Sequence, residues 1–301
     1  MLQRFRFLFD RHLTVANCLE KSIAAYGADT EILRFSGDQS ALGLDGQSIT
    51  LVQLQNVVNR LANLLLRHGF KRFDRVAIYK SGAVDYLIFS LAIVRAGGIT
   101  VPINGKMRSQ DVQHYLRYIG ARIVFAVAQS LKNLDADELA LERRVAIVTD
   151  AAEQVSPGVY ALKTLLAQES AQFKPVEIAK HDDVMIVHTS GTTGFPKAVT
   201  LTHNNVISNT RAGVNCSGHS SEDRLAIFLP LFHVFAQNYI MNAGFVAGAT
   251  LVLFRRFVPD LVLEDIERQR ITMFFAVPTI YIALLGANVP KQKLASIRYY
   301  F

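Results

Sequence analysis

The chain has 301 residues, of which 50% are hydrophobic and 19% charged, and its 32 basic and 25 acidic side chains give a formal net charge of +7. At about 150 residues per domain, this length fits two domains or one large one, and the apolar content excludes a disordered chain. Cys18 and Cys216 are far apart and form no CxxC pair, which excludes a disulfide framework and a structural zinc site.

The first segment, Met1–Arg11, alternates charged residues with aromatic ones and has no continuous apolar core. It is therefore not a secretory signal. Phe5, Phe7 and Phe9 would suit a membrane contact, although a strand-like or irregular terminus is the simpler interpretation. The later apolar stretches all fall short of the ~18 residues that a transmembrane helix needs. We expect no transmembrane segment and a cytoplasmic location.

Short β-branched runs alternate with amphipathic stretches between residues 48 and 149. Apolar side chains recur at helical spacing from Leu51 to Leu65, and Gly69 ends that helix. The predicted strands here are 75–79, 99–103, 121–127 and 145–149, and the helices between them are 85–95 and 109–118.

A less regular segment extends from Asp150 to Asp182, and we place a subdomain boundary near Lys180. The alternation then resumes. The predicted strands are 184–188, 225–229, 250–254 and 272–276, and the predicted helices are 203–215, 235–243, 261–270 and 279–285. Alternating strands and helices predict an α/β fold with parallel sheets covered by helices on both faces.

The strand Val184–His188 leads into a loop rich in glycine and hydroxyl side chains, Thr189–Lys197. Glycines let backbone N–H groups turn toward an anion, the hydroxyls add short donors, and Lys197 adds a point charge. The loop therefore predicts a phosphate site, at the strand end where open α/β sheets bind ligands. It matches neither the Walker pattern, since Ala198 follows the lysine, nor GxGxxG. A structural turn is the alternative.

The nine residues Thr189–Lys197 resemble the signature loop of adenylate-forming enzymes, which include acyl-CoA synthetases, firefly luciferase and the adenylation domains of peptide synthetases. Three further segments are similar to motifs of that family: 92–104, 201–205 and 229–235. One departure is Ala198, where the family usually has glycine. The resemblance covers the chain from about Ser48 to Phe301.

The resemblance implies that residues 1–301 are an incomplete large N-terminal adenylation domain of an acyl-CoA-synthetase-like enzyme, with the phosphate loop and the acyl-pocket motif in 181–301. The family's Tyr-Gly-x-Thr-Glu segment, its ribose-binding aspartate and the C-terminal lid with a catalytic lysine do not occur in these residues. We therefore expect the chain alone to bind nucleotide weakly and not to complete thioester formation.

Members of this family join a carboxylic acid to ATP, release pyrophosphate and pass the acyl group to a thiol. The resemblance implies the same acid–thiol ligase activity here, with ATP, Mg²⁺ and either CoA or carrier-protein phosphopantetheine. Donors of the loop would neutralise the departing pyrophosphate, and Mg²⁺ would bridge its oxygens. The residues implied in ATP binding are Thr189, Ser190, Gly191, Thr192, Thr193, Gly194 and Lys197. No residue is assigned as a metal ligand.

The acyl-pocket motif contributes Phe232, His233 and Phe235 to the expected substrate pocket. The resemblance makes His233 a gate or wall of that pocket, and His233 and Lys197 are the expected catalytic residues. A packed core histidine is the alternative interpretation of His233.

The substrate class is suggested by what the acyl-pocket motif lacks. Amino-acid-activating relatives typically place an aspartate near this motif to meet the substrate ammonium, but residues 232–238 contain no acid. We expect a fatty or aryl acid. The neighbouring Phe245, Val277 and Ile280 suit a hydrocarbon tail, and they would equally suit a core.

The positive charge does not by itself indicate nucleic acid. Lys71-Arg72, Arg143-Arg144 and Arg255-Arg256 are isolated pairs without a basic block, so we expect a solvated surface and no nucleic-acid partner. The alternative function is a non-catalytic nucleotide-binding or interaction protein that retains the fold.

Overall fold

A computed structural model of the chain describes residues 9–37, 44, 48–79, 83–131, 134, 145–148, 159–189, 197–286 and 290–301. In chain order its strands are β1 (Glu31–Phe35), β2 (Ser48–Thr50), β3 (Arg75–Tyr79), β4 (Ile99–Ile103), β5 (Ile123–Ala126), β6 (Val145–Val148), β7 (Val159–Ala161), β8 (Asp183–Thr189), β9 (Lys197–Thr202), β10 (Arg224–Ile227), β11 (Thr250–Leu253), β12 (Met273–Phe274) and β13 (Tyr299–Tyr300).

The α-helices of the described residues are α1 (Cys18–Tyr26), α2 (Leu51–Arg67), α3 (Ala83–Arg95), α4 (Ser109–Ile119), α5 (Ala128–Leu131), α6 (Leu162–Leu166), α7 (His203–Ser217), α8 (Ala243–Ala247), α9 (Pro259–Gln269) and α10 (Pro278–Gly286). A π-helix, Phe235–Asn242, directly precedes α8, and a 3₁₀ helix spans Lys291–Leu294. None of these helices is long and apolar enough to cross a bilayer.

The chain divides into two compact units. Unit 1 comprises Met1–Arg11, Cys18–Gln53 and Ser208–Phe301, and unit 2 comprises His12–Asn17 and Leu54–Ile207. The boundary that the sequence predicts near Lys180 therefore falls inside unit 2. The reason is that β8 and β9, which follow Lys180, both belong to the sheet of unit 2.

Unit 2 is built on a seven-stranded sheet in the order β7-β6-β5-β3-β4-β8-β9. Its neighbouring strands are parallel, except that β8 and β9 are antiparallel. The central strands are apolar on both faces, and β4 is buried at every position, as expected of a strand covered on two sides. From α4, Val112, Tyr115 and Leu116 pack into the core that β3, β4 and β5 form.

Unit 1 is built on a six-stranded sheet in the order β13-β12-β10-β11-β1-β2, in which only the pair β1–β2 is antiparallel. Phe228, Phe254 and Phe274 form its core with Ile266 of α9. Helix α1 is fixed to α8 by its hydroxyls, because Ser22 donates to the carbonyl of Phe245 at 2.8 Å. The predicted α/β fold with parallel sheets flanked by helices is confirmed.

Candidate functional site

The candidate phosphate loop joins the two strands of an antiparallel hairpin in unit 2. The last residue of β8, Thr189, pairs with the first residue of β9, Lys197, and both side chains are exposed. Residues 190–196 connect them and lie outside the described residues, so the expectations for Ser190, Gly191, Thr192, Thr193 and Gly194 stay predictions. The sequence predicts a loop that leads directly into a helix, whereas the structure inserts β9 before the helix.

The two described residues of this loop, Thr189 and Lys197, both carry hydrogen-bond donors. Thr189 and Lys197 are paired at the end of the hairpin where the loop connects the two strands. This pairing brings the Thr189 hydroxyl and the Lys197 ammonium side by side. Both groups donate hydrogen bonds to anionic oxygens, so these two residues fit a phosphate chain. No group of three or more His, Cys, Asp or Glu within the described ranges is placed to hold a metal ion.

At the other end of the hairpin, β9 leads into the N-terminal cap of helix α7. Thr202 and Asn205 exchange hydrogen bonds, with the Thr202 N–H donating to Asn205 Oδ1 at 2.9 Å and the Asn205 N–H donating to Thr202 Oγ1 at 3.2 Å. This reciprocal arrangement begins α7 in the manner of a capping box. The His203 N–H also donates to the carbonyl of Asp182 at 3.0 Å, which ties the start of α7 to the start of β8.

His203, the first residue of α7, is buried, and its imidazole is neutral. Its Nδ1 accepts a hydrogen bond from the N–H of Val15 at 3.2 Å, which requires an unprotonated nitrogen. Burial lowers the pKa of His203 to about 4, although the nearby Asp182 acts in the opposite direction. The sequence places His203 in a family-like motif but does not reveal this contact, because its partner is 188 residues away.

Asp182 is fixed from two sides at the same end of the hairpin. It accepts from the N–H of Ala179 at 2.8 Å and from Nη2 of Arg72 at 2.5 Å. Burial by itself would raise the pKa of Asp182, but these two hydrogen bonds and the charge of Arg72 outweigh it and lower that pKa. These contacts hold Asp182 at the end of the hairpin opposite Thr189 and Lys197.

The acyl-pocket motif lies in unit 1, between β10 and the π-helix. His233 is exposed, so it is not a packed core histidine. Its N–H donates to the carbonyl of Pro230 at 3.0 Å, and its carbonyl accepts from the N–H of Gln237 at 3.1 Å. The ring of Phe232 lies 5.6 Å from the imidazole. The backbone of His233 thus leads into the π-helix while its side chain remains available to a ligand.

The π-helix presents an aromatic surface that begins at Phe235. Phe235, 42% exposed, stacks on Tyr239 with 5.3 Å between ring centroids and 12° between ring planes. Both rings meet Phe275 edge-on, at 6.3 Å and 6.0 Å. Phe275 in turn stacks on Phe301 at 4.7 Å. We name Phe235, Tyr239, Phe275 and Phe301 the aromatic cluster. Flat rings of this kind suit a hydrocarbon or aryl group.

The other predicted lining residues differ in their environment. Phe245 is fully buried in α8 and belongs to the core, whereas Val277 is 47% exposed. Sequence reasoning missed Tyr239, which lies four residues after Phe235, and the hydrogen bond between its hydroxyl and that of Ser217. The spacing of two aromatic residues by four was the signal that could have found it.

The structure places the predicted site residues in two groups. Thr189 and Lys197 are together in unit 2, and Phe232, His233 and Phe235 are together in unit 1. Each group combines the side-chain chemistry that its expected ligand requires, donors for phosphate and apolar rings for an acyl group.

Comparison with known families agrees with these features. Residues 20–301 match the model of a family described as AMP-binding enzyme, and the chain belongs to that family. It is 30% identical over 268 residues to a feruloyl-CoA synthase from an Amycolatopsis species, covering 88% of this chain and 50% of that protein. It is 28% identical over 261 residues to 4-coumarate–CoA ligase 3 of Oryza sativa subsp. japonica, covering 85% and 46%.

A solved structure shows the same fold. ATP-bound MatB from Rhodopseudomonas palustris superimposes with a TM-score of 0.82 over 96% of this chain and 54% of that chain, at 24% identity. The chain therefore spans about half the length of the relatives that it matches.

Proposed function

We propose that the protein activates a carboxylic acid with ATP, forming an acyl adenylate and pyrophosphate, and passes the acyl group to the thiol of CoA or of a carrier protein. The observation that supports this proposal is the pairing of Thr189 with Lys197, the first and last residues of the loop motif, in a chain of the AMP-binding family. Mg²⁺, when bound, would reduce the negative charge of the phosphates.

Lys197 has the central part in this proposal. A carboxylate must approach a phosphorus atom that is surrounded by negative oxygens, and charge then accumulates on the departing pyrophosphate. The Lys197 ammonium and the Thr189 hydroxyl, together with the loop donors, would stabilise that charge where it develops. His233 would border the acid, since its exposed imidazole lies at the start of the aromatic cluster.

The substrate is proposed to be a fatty or aryl acid. Residues 232–238 contain no acid that could meet an α-ammonium group, and the aromatic cluster offers flat apolar rings. Two relatives are named for feruloyl and 4-coumarate substrates, which supports the aryl alternative.

The test is Lys197→Ala in a protein that carries residues 1–301 and spans the full length of the relatives. Loss of one charge-stabilising donor is expected to lower adenylation by about 10²-fold or more. ATP–pyrophosphate exchange measures the step directly. The matched control is Lys180→Ala, since Lys180 is also an exposed lysine of unit 2 but lies before the first strand of the hairpin. Its exchange rate should not change.

Equal exchange by Lys197→Ala and the unmodified protein would remove Lys197 from the mechanism. If the unmodified protein of that length binds ATP but shows no exchange with fatty or aryl acids, the non-catalytic alternative is favoured.

A further inference from the structure

Phe73 occupies a backbone conformation that favours glycine. It lies in the turn between α2 and β3 with φ of 68°, in the left-handed region where a bulky side chain is disfavoured. Its N–H donates to the carbonyl of Gly97 at 2.9 Å, and the Asp74 N–H donates to the carbonyl of Lys71 at 3.0 Å. These are backbone contacts that glycine could make equally well. The phenyl ring is 45% exposed, so the core does not require it.

An arginine covers one face of this exposed ring, and a second arginine pairs with the next residue along the chain. The Arg72 guanidinium lies over Phe73 at 4.7 Å from the ring centroid and also pairs with Asp182. Arg122, whose side chain is 57% exposed, pairs with Asp74 at 3.2 Å. The two acids therefore hold the arginines in place without covering them.

The same edge of the sheet carries a second exposed ring. Strands β3 and β5 are parallel neighbours, so the residues before them share one edge. The Arg122 N–H donates to the carbonyl of Arg75 at 3.2 Å, and Nη1 of Arg75 donates to the carbonyl of Ile119 at 2.6 Å. Tyr118, 63% exposed, immediately precedes Ile119. We name this surface the basic-aromatic edge; it comprises Lys71, Arg72, Phe73, Arg75, Arg117, Tyr118 and Arg122.

The basic-aromatic edge carries more basic than acidic side chains. It has five basic residues; Asp182 forms a salt bridge with Arg72, and Asp74 forms one with Arg122. It lies at the amino ends of the parallel strands, whereas the Thr189–Lys197 loop follows the carboxyl end of β8, which is parallel to β4. A partner bound to this edge would therefore not cover the loop of the same unit.

We propose that the basic-aromatic edge docks on an anionic lipid surface. Cations approach the acidic headgroups, while exposed aromatic rings lie at the level of the headgroups. The exposed phenylalanine and tyrosine add apolar rings to the cations, and a bilayer interface takes up both kinds of side chain. An acidic protein would use the same cations, and binding to polyglutamate tests that alternative. The inference does not depend on the proposed function.

The decisive variant is Phe73→Gly in the full chain, measured by co-sedimentation with vesicles of phosphatidylcholine and phosphatidylglycerol and with vesicles of phosphatidylcholine alone. The unmodified chain should bind the anionic vesicles, and salt should weaken the binding. Phe73→Gly keeps every charge and should lower the affinity about tenfold. Lys71→Gln should lower it several-fold, on the order of fivefold.

Two controls separate docking from folding. Leu261→Ser removes an apolar side chain that is 54% exposed on α9 and should leave vesicle binding unchanged. Phe73→Gly should unfold at the same or a higher temperature, because glycine relieves the positive φ. A lower unfolding temperature for Phe73→Gly would mean that the ring is structural and would overturn the proposal.

Three further outcomes would also overturn it. One is the absence of any binding to anionic vesicles. Another is binding that survives Phe73→Gly but is lost when Phe5, Phe7 and Phe9 are changed to serine, which would assign the contact to the first residues of the chain. In the third, Lys71→Gln weakens binding to polyglutamate and to anionic vesicles equally, and Phe73→Gly affects neither. That result would identify a site for acidic macromolecules.

Discussion

His203 links the stability of unit 2 to pH. Its pKa is about 4 in the folded chain and 6.5 as the ordinary value, so above pH 6.5 the imidazole is neutral in both states and its contribution is complete. As pH falls from 6.5 toward 4, the unfolded chain binds a proton that the folded chain excludes. Stability is therefore lost over this window.

The expected loss is about 2 kcal/mol in the free energy of unfolding between roughly pH 7.5 and pH 5. Denaturant unfolding at the two pH values measures it. His203→Asn is the informative variant, because an amide oxygen can accept from the Val15 N–H but does not titrate. Its free energy of unfolding should change less over the same interval. Parallel pH profiles for the two proteins would show that His203 is not the titrating group.

Among the elements, α8 shows how closely a helix approaches a strand in unit 1. A Cβ at Gly244 would lie 2.4 Å from Cδ2 of Leu251, a fully buried side chain of β11. Gly286, at the end of α10, has no atom of the described residues within 4 Å of such a Cβ. An alanine side chain would therefore be crowded at Gly244 and unobstructed by the described residues at Gly286.

Gly244→Ala is expected to lower the free energy of unfolding by about 1–3 kcal/mol, because either α8 or Leu251 must move. Gly286→Ala should be neutral or stabilise by up to about 1 kcal/mol, since alanine is the better helix former. Thermal and denaturant unfolding of both variants provides the comparison. Similar losses in the two would show that the contact with Leu251 does not cause the effect.

The elements also show how far the sequence predicts the fold. The bounds of β3 are predicted correctly at 75–79, because the apolar run Val76–Tyr79 lies between the charged residues Arg75 and Lys80. Strand β9 is missed, because none of its residues is fully buried and its first residue belongs to the loop motif. The segment 235–243 is predicted as a helix, but the pattern of apolar residues does not distinguish the π-helical hydrogen bonding that the structure shows over Phe235–Asn242.

For the candidate site, the sequence predicts chemistry better than position. The donors of the Thr189–Lys197 loop and the apolar motif around His233 can be named from their residue types alone. The stacking of Phe235 on Tyr239 follows from their spacing by four within one helix, whereas the edge-on contact of both rings with Phe275 depends on packing between separate elements, which no local pattern contains.

At the scale of the whole molecule, the chain spans about half the length of its relatives. We expect the 301 residues alone to bind nucleotide weakly and not to complete thioester formation. The purified chain should therefore show little ATP–pyrophosphate exchange with fatty or aryl acids, and a protein that carries residues 1–301 and spans the full length of the relatives should show it under the same conditions. Robust exchange by the isolated chain would contradict this expectation.

The strand order of unit 1 also has a consequence for synthesis on the ribosome. Strand β1 pairs with β2 on one side, and on the other side with β11, where Leu33 lies opposite Leu251. The hydrogen bond from Ser22 to Phe245 likewise spans 223 residues. All strands of unit 2 are made between these two halves, so its sheet can form while one edge of β1 still waits for its partner. Unit 1 is thus the last to close, and α1 and β1 are segments whose apolar side chains a chaperone would have to protect until β11 is made.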